Sequence, residues 1–186
     1  MSRLAVTDLP LAGLKRVERR RLSDERGFLA RIFCAEELRD AGWTVPISQI
    51  NHTYTARKAT VRGLHFQHPP HAEMKLVTCL RGEVFDVAVD IRAGSNTFLR
   101  WHGEVLSAGN NRALLIPQGF AHGFQALTDE VELLYCHSAA YAAASEGGLN
   151  ARDPKLAIAW PLPIAETSER DMRFAPLDGT FAGVTS

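Results

Sequence analysis

Glycines and prolines break this chain at fairly regular intervals, and the apolar runs between them are short. With no repeat, low-complexity tract or linker, the pattern is that of many short strands joined by turns. Leu76 to Leu80 is one apolar run, Arg81-Gly82 makes a turn, and Glu83 to Ile91 follows with Phe85, Val87, Val89 and Ile91 on one face, which predicts a hairpin. Trp101 to Leu106, Ala113 to Ile116 and Val131 to His137 read as further strands, the last with Val131, Leu133, Tyr135 and His137 on a common face. Helix is predicted over Ala35 to Ala41, which carries Glu36, Glu37 and Arg39 on its polar side and stops at Gly42, and over a short stretch near Glu166 to Arg173. So many strands with so little helix predict a mainly β fold: a sandwich, jelly roll or small barrel whose interior can hold one ligand.

The 186 residues, 46% of them hydrophobic, fit one domain spanning residues 1–186 with a substantial core. Basic and acidic residues, 21 of each, cancel, so no overall field draws the chain to nucleic acid or to an anionic membrane. Any anion it binds must be met by a local cluster. Cys34, Cys79 and Cys136 are odd in number and lack metal-site spacing, so no disulfide framework is expected and a reducing cytoplasm fits. Met1 to Leu14 reads as no export leader, and no run approaches the ~18 apolar residues of a membrane span, so a soluble, unexported protein is expected.

The densest polar segment is Val61 to Lys75, which holds His65, His68, His71 and Glu73. Strict alternation would place Arg62, Leu64 and Phe66 on one face and Gly63, His65 and Gln67 on the other, unless a bulge intervenes. A second polar knot, Ile116 to Phe124, reads as a tight turn that presents His122. These histidines with Glu73 suggest a metal-binding site. The spacing opposes it, because residue 67 is Gln where a His-x-His pair would need histidine, and Pro69-Pro70 break any strand between His68 and His71.

Arg62-Gly63-Leu64-His65-Phe66-Gln67, Lys75-Leu76-Val77, Arg81 to Arg92, Ile116 to Phe124 and Leu134-Tyr135 resemble the dTDP-4-dehydrorhamnose 3,5-epimerase family, and Asp24 to Phe28 and Gln49 to His52 extend the likeness over roughly residues 17–178. The resemblance implies a cupin-type jelly roll with a few short helices and a C-terminal tail over 165–186. It implies no cofactor and no catalytic metal, a nucleotide-sugar substrate, and a homodimer in which N-terminal strands are exchanged and each site borrows residues from its partner.

The chemistry it implies is inversion of C3 and/or C5 beside a 4-keto group, which acidifies those carbons because the resulting carbanion is delocalised as an enolate. Such a site needs a base, an acid on the opposite face and positive charge near the oxygen. By resemblance His65 is the base, Asp171 orients it, Tyr135 returns the proton, and Lys75 lies near the keto oxygen. Arg26 and Arg62 match positions that contact the diphosphate, Arg26 from the neighbouring subunit. Gln49 and Asn51 face the sugar, Phe28 lines the nucleotide, and His122 contacts substrate.

Two positions depart from the family pattern. Ile50 stands where a carboxylate is usual, beside the sugar site, and Arg31 stands where many relatives have glutamate near the base. Arginine cannot accept from thymine N3-H and suits cytosine better, so dTDP and CDP both stay open. Alternatives of other classes are a mono-epimerase or ketoisomerase on the same scaffold, a metal-dependent cupin enzyme, and a sugar-binding cupin without catalysis.

Overall fold

The computed structural model describes residues 2 to 185. Its strands are β1 (Leu4–Asp8), β2 (Lys15–Arg19), β3 (Arg21–Asp24), β4 (Gly27–Ala30), β5 (Gln49–Thr55), β6 (Val61–Gln67), β7 (Lys75–Arg81), β8 (Glu83–Asp90), β9 (Trp101–Ser107), β10 (Arg112–Ile116), β11 (Phe120–Ala126), β12 (Val131–His137) and β13 (Glu146–Gly148). Two one-turn α-helices, α1 (Ala35–Leu38) and α2 (Glu169–Met172), and a 3-10 turn over Ala143–Ser145 complete the regular structure. The strands form a six-stranded sheet in the order β1-β2-β10-β7-β12-β5 and a five-stranded sheet in the order β13-β6-β11-β8-β9. The pairings between strands in both sheets are antiparallel, and β3 with β4 makes a separate hairpin. This is the mainly β, cupin-type jelly roll expected.

Three apolar layers hold it together. Val131, Leu133 and Tyr135 point inward from β12 and meet Val84 and Ala88 of β8 and Phe124 of β11 between the two sheets. The alternate β12 residue Cys136 points outward, against Leu38 and Trp43 near α1. The far face of the five-stranded sheet carries Val87, Val89 and Ile91 and is covered by Leu149, Leu156 and Val184. Most central strands are therefore buried on both faces, which explains their near-continuous apolar runs.

Two expectations fail here. Leu76 to Leu80 and Glu83 to Ile91 do not form a hairpin: β7 pairs with β10 and β12, whereas β8 pairs with β11 and β9. Arg81-Gly82 is a corner where the chain crosses between sheets. Gly82 sits at φ +74°, and a Cβ there would lie 2.6 Å from Thr128 Oγ1, so the corner requires glycine. The second polar knot is also more regular than a turn. Only the Pro117 to Gly119 stretch turns, and His122 is carried by β11, a strand buried along its whole length. The two predicted helices shrink to single turns at the expected places.

Candidate active site

A cavity of about 450 Å³ lies between the sheets, lined from β5, β6, β7, β11, β12 and the α2 segment. His65 enters it from β6. Gly63 adopts φ +115°, and a Cβ there would lie 2.5 Å from Gly123 Cα and 2.7 Å from the His122 carbonyl oxygen. The β6–β11 register shifts between His122 and Phe124, which is a bulge. Arg62 consequently joins His65 and Gln67 at the cavity, while Leu64 and Phe66 pack into the outer cluster. Strict alternation would have separated Arg62 from His65. Arg62 is held at the rim, Nε donating to Thr55 Oγ1 at 3.0 Å and Nη2 to the Tyr54 carbonyl at 3.1 Å.

Asp171 comes from α2, whose first turn is capped by Ser168 accepting the Asp171 N–H. Its Oδ1 lies 2.7 Å from His65 Nε2, and its Oδ2 accepts the Gly63 N–H at 3.1 Å. Burial pushes this carboxyl up, but the His65 hydrogen bond and charge, the Gly63 N–H and Arg170 outweigh it and bring it down to about 2. A carboxylate only accepts, so His65 Nε2 carries the proton and Nδ1 keeps the lone pair. Arg170 lies against the same ring, Nη2 2.9 Å from Nε2 and 3.5 Å from Nδ1; with Nε2 donating to Asp171, only Nδ1 is left to accept from it, and Arg170 is tied back to Glu146 at 3.0 Å.

Tyr135 faces the cavity from β12 in the opposite sheet. Burial first, and then the Asp86 charge, push its phenol well above the ordinary value, so it stays protonated at neutral pH. His122 stands edge-on to it at 5.8 Å between ring centroids and is fixed by Asp86, with Nε2 2.8 Å from Oδ1. His137 stacks on Tyr135 at 6.0 Å. Burial, followed by the Lys75 charge, lowers His137 to about 4, so that ring is neutral. Lys75 projects from β7 with its Nζ 3.3 Å from the His65 carbonyl oxygen.

Gln49 and Asn51 line the cavity from β5, joined by a 2.9 Å bond from Gln49 Nε2 to Asn51 Oδ1. Ile50 points the other way and is 58% exposed, so this departure does not border the cavity. Arg26, Phe28 and Arg31 do not line it either. Arg26 lies on the β3–β4 hairpin bonded to Asp24 at 2.6 Å, and Phe28 is exposed beneath the Arg21 guanidinium. Arg31 is ion-paired to Glu37.

The sequence reading missed several lining residues. Thr53 continues the alternation of Gln49 and Asn51, so period two could have found it, and His137 was placed on the face of Tyr135 but not assigned to the site. Tyr141, Glu146 and Arg170 lie in or beside irregular chain and carry no such signal. The suggested metal set does not converge. His68 and His71 are exposed, His65 and His122 each face an aspartate, and no group of three or more His, Cys, Asp or Glu side chains is placed to hold a metal among the described residues.

A base on one sheet, a phenol on the other and an ammonium beside the base together can deprotonate a carbon acid from one side and reprotonate it from the other. The sequence model of the dTDP-4-dehydrorhamnose 3,5-epimerase family matches residues 8–178. The chain is 45% identical over 150 residues to the dTDP-4-dehydrorhamnose 3,5-epimerase of Shigella flexneri, covering 80% of this chain and 82% of the relative. Its fold superposes with a TM-score of 0.91 and 37% identity on the dTDP-6-deoxy-D-glucose-3,5-epimerase of Legionella pneumophila in complex with dTDP-4-keto-L-rhamnose, covering 98% and 99% of the two chains. A double mutant of a 3'-monoepimerase from Streptomyces bikiniensis, in complex with dTDP, gives 0.85 at 34% identity, covering 91% and 85%. The chain belongs to the dTDP-4-dehydrorhamnose 3,5-epimerase family.

Proposed function

We propose that this protein inverts C3 and C5 of a nucleotide-linked 4-keto-6-deoxyhexose in deoxysugar synthesis, with His65 as base, Tyr135 as acid, Asp171 orienting His65 and Lys75 receiving the enolate oxygen. The observation that carries the reading is the placement of His65 and Tyr135 on opposite sheets of one cavity, with Asp171 2.7 Å behind the imidazole. Gln49 and Asn51 contact the sugar in this reading, His122 braces the Tyr135 side, and Arg62 takes the diphosphate. The nucleotide is dTDP: the matched relatives are named for dTDP sugars, and Arg31 is engaged by Glu37 rather than free for a base.

The working form is a homodimer. Arg26 and Phe28 lie outside their own chain's cavity on a projecting hairpin, and Phe28 and Leu29 expose 59% and 62% of their surface, which suits insertion into a partner's site. No helix among the described residues is long and apolar enough to cross a membrane, and the cysteines are free, which suits the reducing cytoplasm.

A second reading, inversion at C3 alone, draws on the likeness to the Streptomyces bikiniensis 3'-monoepimerase. Proton NMR of the wild-type reaction on the dTDP-linked 4-keto sugar in deuterated water separates the two. Loss of both the C3 and C5 protons supports the first reading, loss at C3 alone the second, and retention of both contradicts epimerisation. Parallel titrations with dTDP and CDP test the base, and preference for CDP would overturn that assignment.

A further inference from the structure

Lys75 does not face the cavity alone. Its ammonium lies 2.8 Å from Glu73 Oε1, and the two side chains are only 8% and 5% exposed. Glu73 is itself held, because Gln67 Nε2 donates to its Oε2 at 2.9 Å. Gln67 is fixed in turn: Nε2 also donates to the His71 carbonyl at 2.9 Å, and Oε1 accepts the Ala142 N–H at 2.6 Å. An ammonium has three N–H donors. One is taken by Glu73 and a second reaches the His65 carbonyl oxygen at 3.3 Å, which leaves a single donor for a ligand.

We propose that Glu73 is a positioning residue: by taking one Lys75 donor in a fixed direction, it aims the remaining N–H at the point where the enolate oxygen develops. This rests on the epimerase reading, since it is that reading which brings a keto oxygen to Lys75. A lysine side chain is long and flexible, and left alone it would have to find the oxygen at every turnover. A donor already aimed needs no reorganisation as charge develops. The aimed N–H gains more from an enolate than from a neutral ketone, so its effect belongs in kcat rather than KM. Neither Glu73 nor Gln67 needs to touch the substrate for this.

The test is a double-mutant cycle of Glu73→Gln, Lys75→Met and the double variant on the 4-keto sugar nucleotide in deuterated water, with kcat, KM and thermal midpoint measured for each. Glu73→Gln is expected to lower kcat roughly 10- to 100-fold with KM within about twofold, and to add less than about twofold to the loss in Lys75→Met. Lys75→Met alone strands a buried carboxylate. Should it not fold, the kcat and KM of Glu73→Gln decide alone. A Glu73→Gln kcat within about twofold of wild type overturns the proposal, as does an equally large loss with Lys75 absent. A purely structural role would lower the thermal midpoint and leave the kcat of the folded enzyme unchanged. Wild-type exchange in the same assay tests the epimerase reading separately.

Discussion

Asp171 reaches back across 106 residues of sequence to hold His65, its Oδ1 2.7 Å from Nε2 while its Oδ2 accepts the Gly63 N–H at 3.1 Å. One carboxylate thus fixes both the imidazole and the backbone of the bulge that turns His65 into the cavity. The proton sits on Nε2 and the lone pair on Nδ1, and an imidazolium on His65 would be stabilised by the Asp171 carboxylate where it forms.

Replacing Asp171 with asparagine keeps the shape and removes the charge. The amide can donate to Nε2, which allows the other tautomer and moves the lone pair to the wrong nitrogen. Steady-state kinetics of Asp171→Asn should show kcat lowered on the order of 10²- to 10⁴-fold, with little change in dTDP binding. The same carboxyl, held at about 2 in the folded protein, contributes stability above its ordinary titration range that is lost as pH falls towards 2.

His137 loses stability in the same direction but in a higher pH window. Burial and the Lys75 charge bring it to about 4 from an ordinary 6.5. Between those values the unfolded chain binds a proton that the folded chain refuses, so stability falls as pH drops through this window, by at most about 3 kcal/mol. Urea unfolding midpoints at about pH 7 and about pH 5 should differ more for the wild type than for His137→Gln, and equal differences would remove His137 as the source.

Gly63 has no room for a side chain. A Cβ there would lie 2.5 Å from Gly123 Cα, a backbone atom that no side-chain shift can move aside, and its φ of +115° disfavours any L residue. Gly63→Ala should cost about 2 kcal/mol or more and displace His65, so that its loss of turnover exceeds what instability explains. Thermal melts alongside kcat per folded molecule measure both parts.

Much of the fold was legible because strands β8 and β12 carry apolar residues at period two and β10 is a short continuous apolar run. Strand β11 was not legible. All seven of its residues are buried, so Phe-Ala-His-Gly-Phe-Gln-Ala shows no alternation, and its glycine reads as a turn. The crossing at Gly82 looks locally like a hairpin because a tight turn carries no record of which strands pair on either side. His65, Lys75, His122 and Tyr135 were legible as chemistry through the family resemblance, and they meet in one cavity. Arg62 escaped alternation because the bulge depends on two glycines on neighbouring strands, and the Glu73–Lys75 pair depends on side-chain directions that spacing does not encode.

Solvent deuterium exchange by His65→Ala and Tyr135→Phe, followed by proton NMR on the dTDP-linked 4-keto sugar, tests the division of labour between the two sheets most directly. His65→Ala should exchange neither the C3 nor the C5 proton, whereas Tyr135→Phe should retain part of the exchange and fail to invert. Normal turnover by His65→Ala would contradict the assignment of the base, and with it the mechanism.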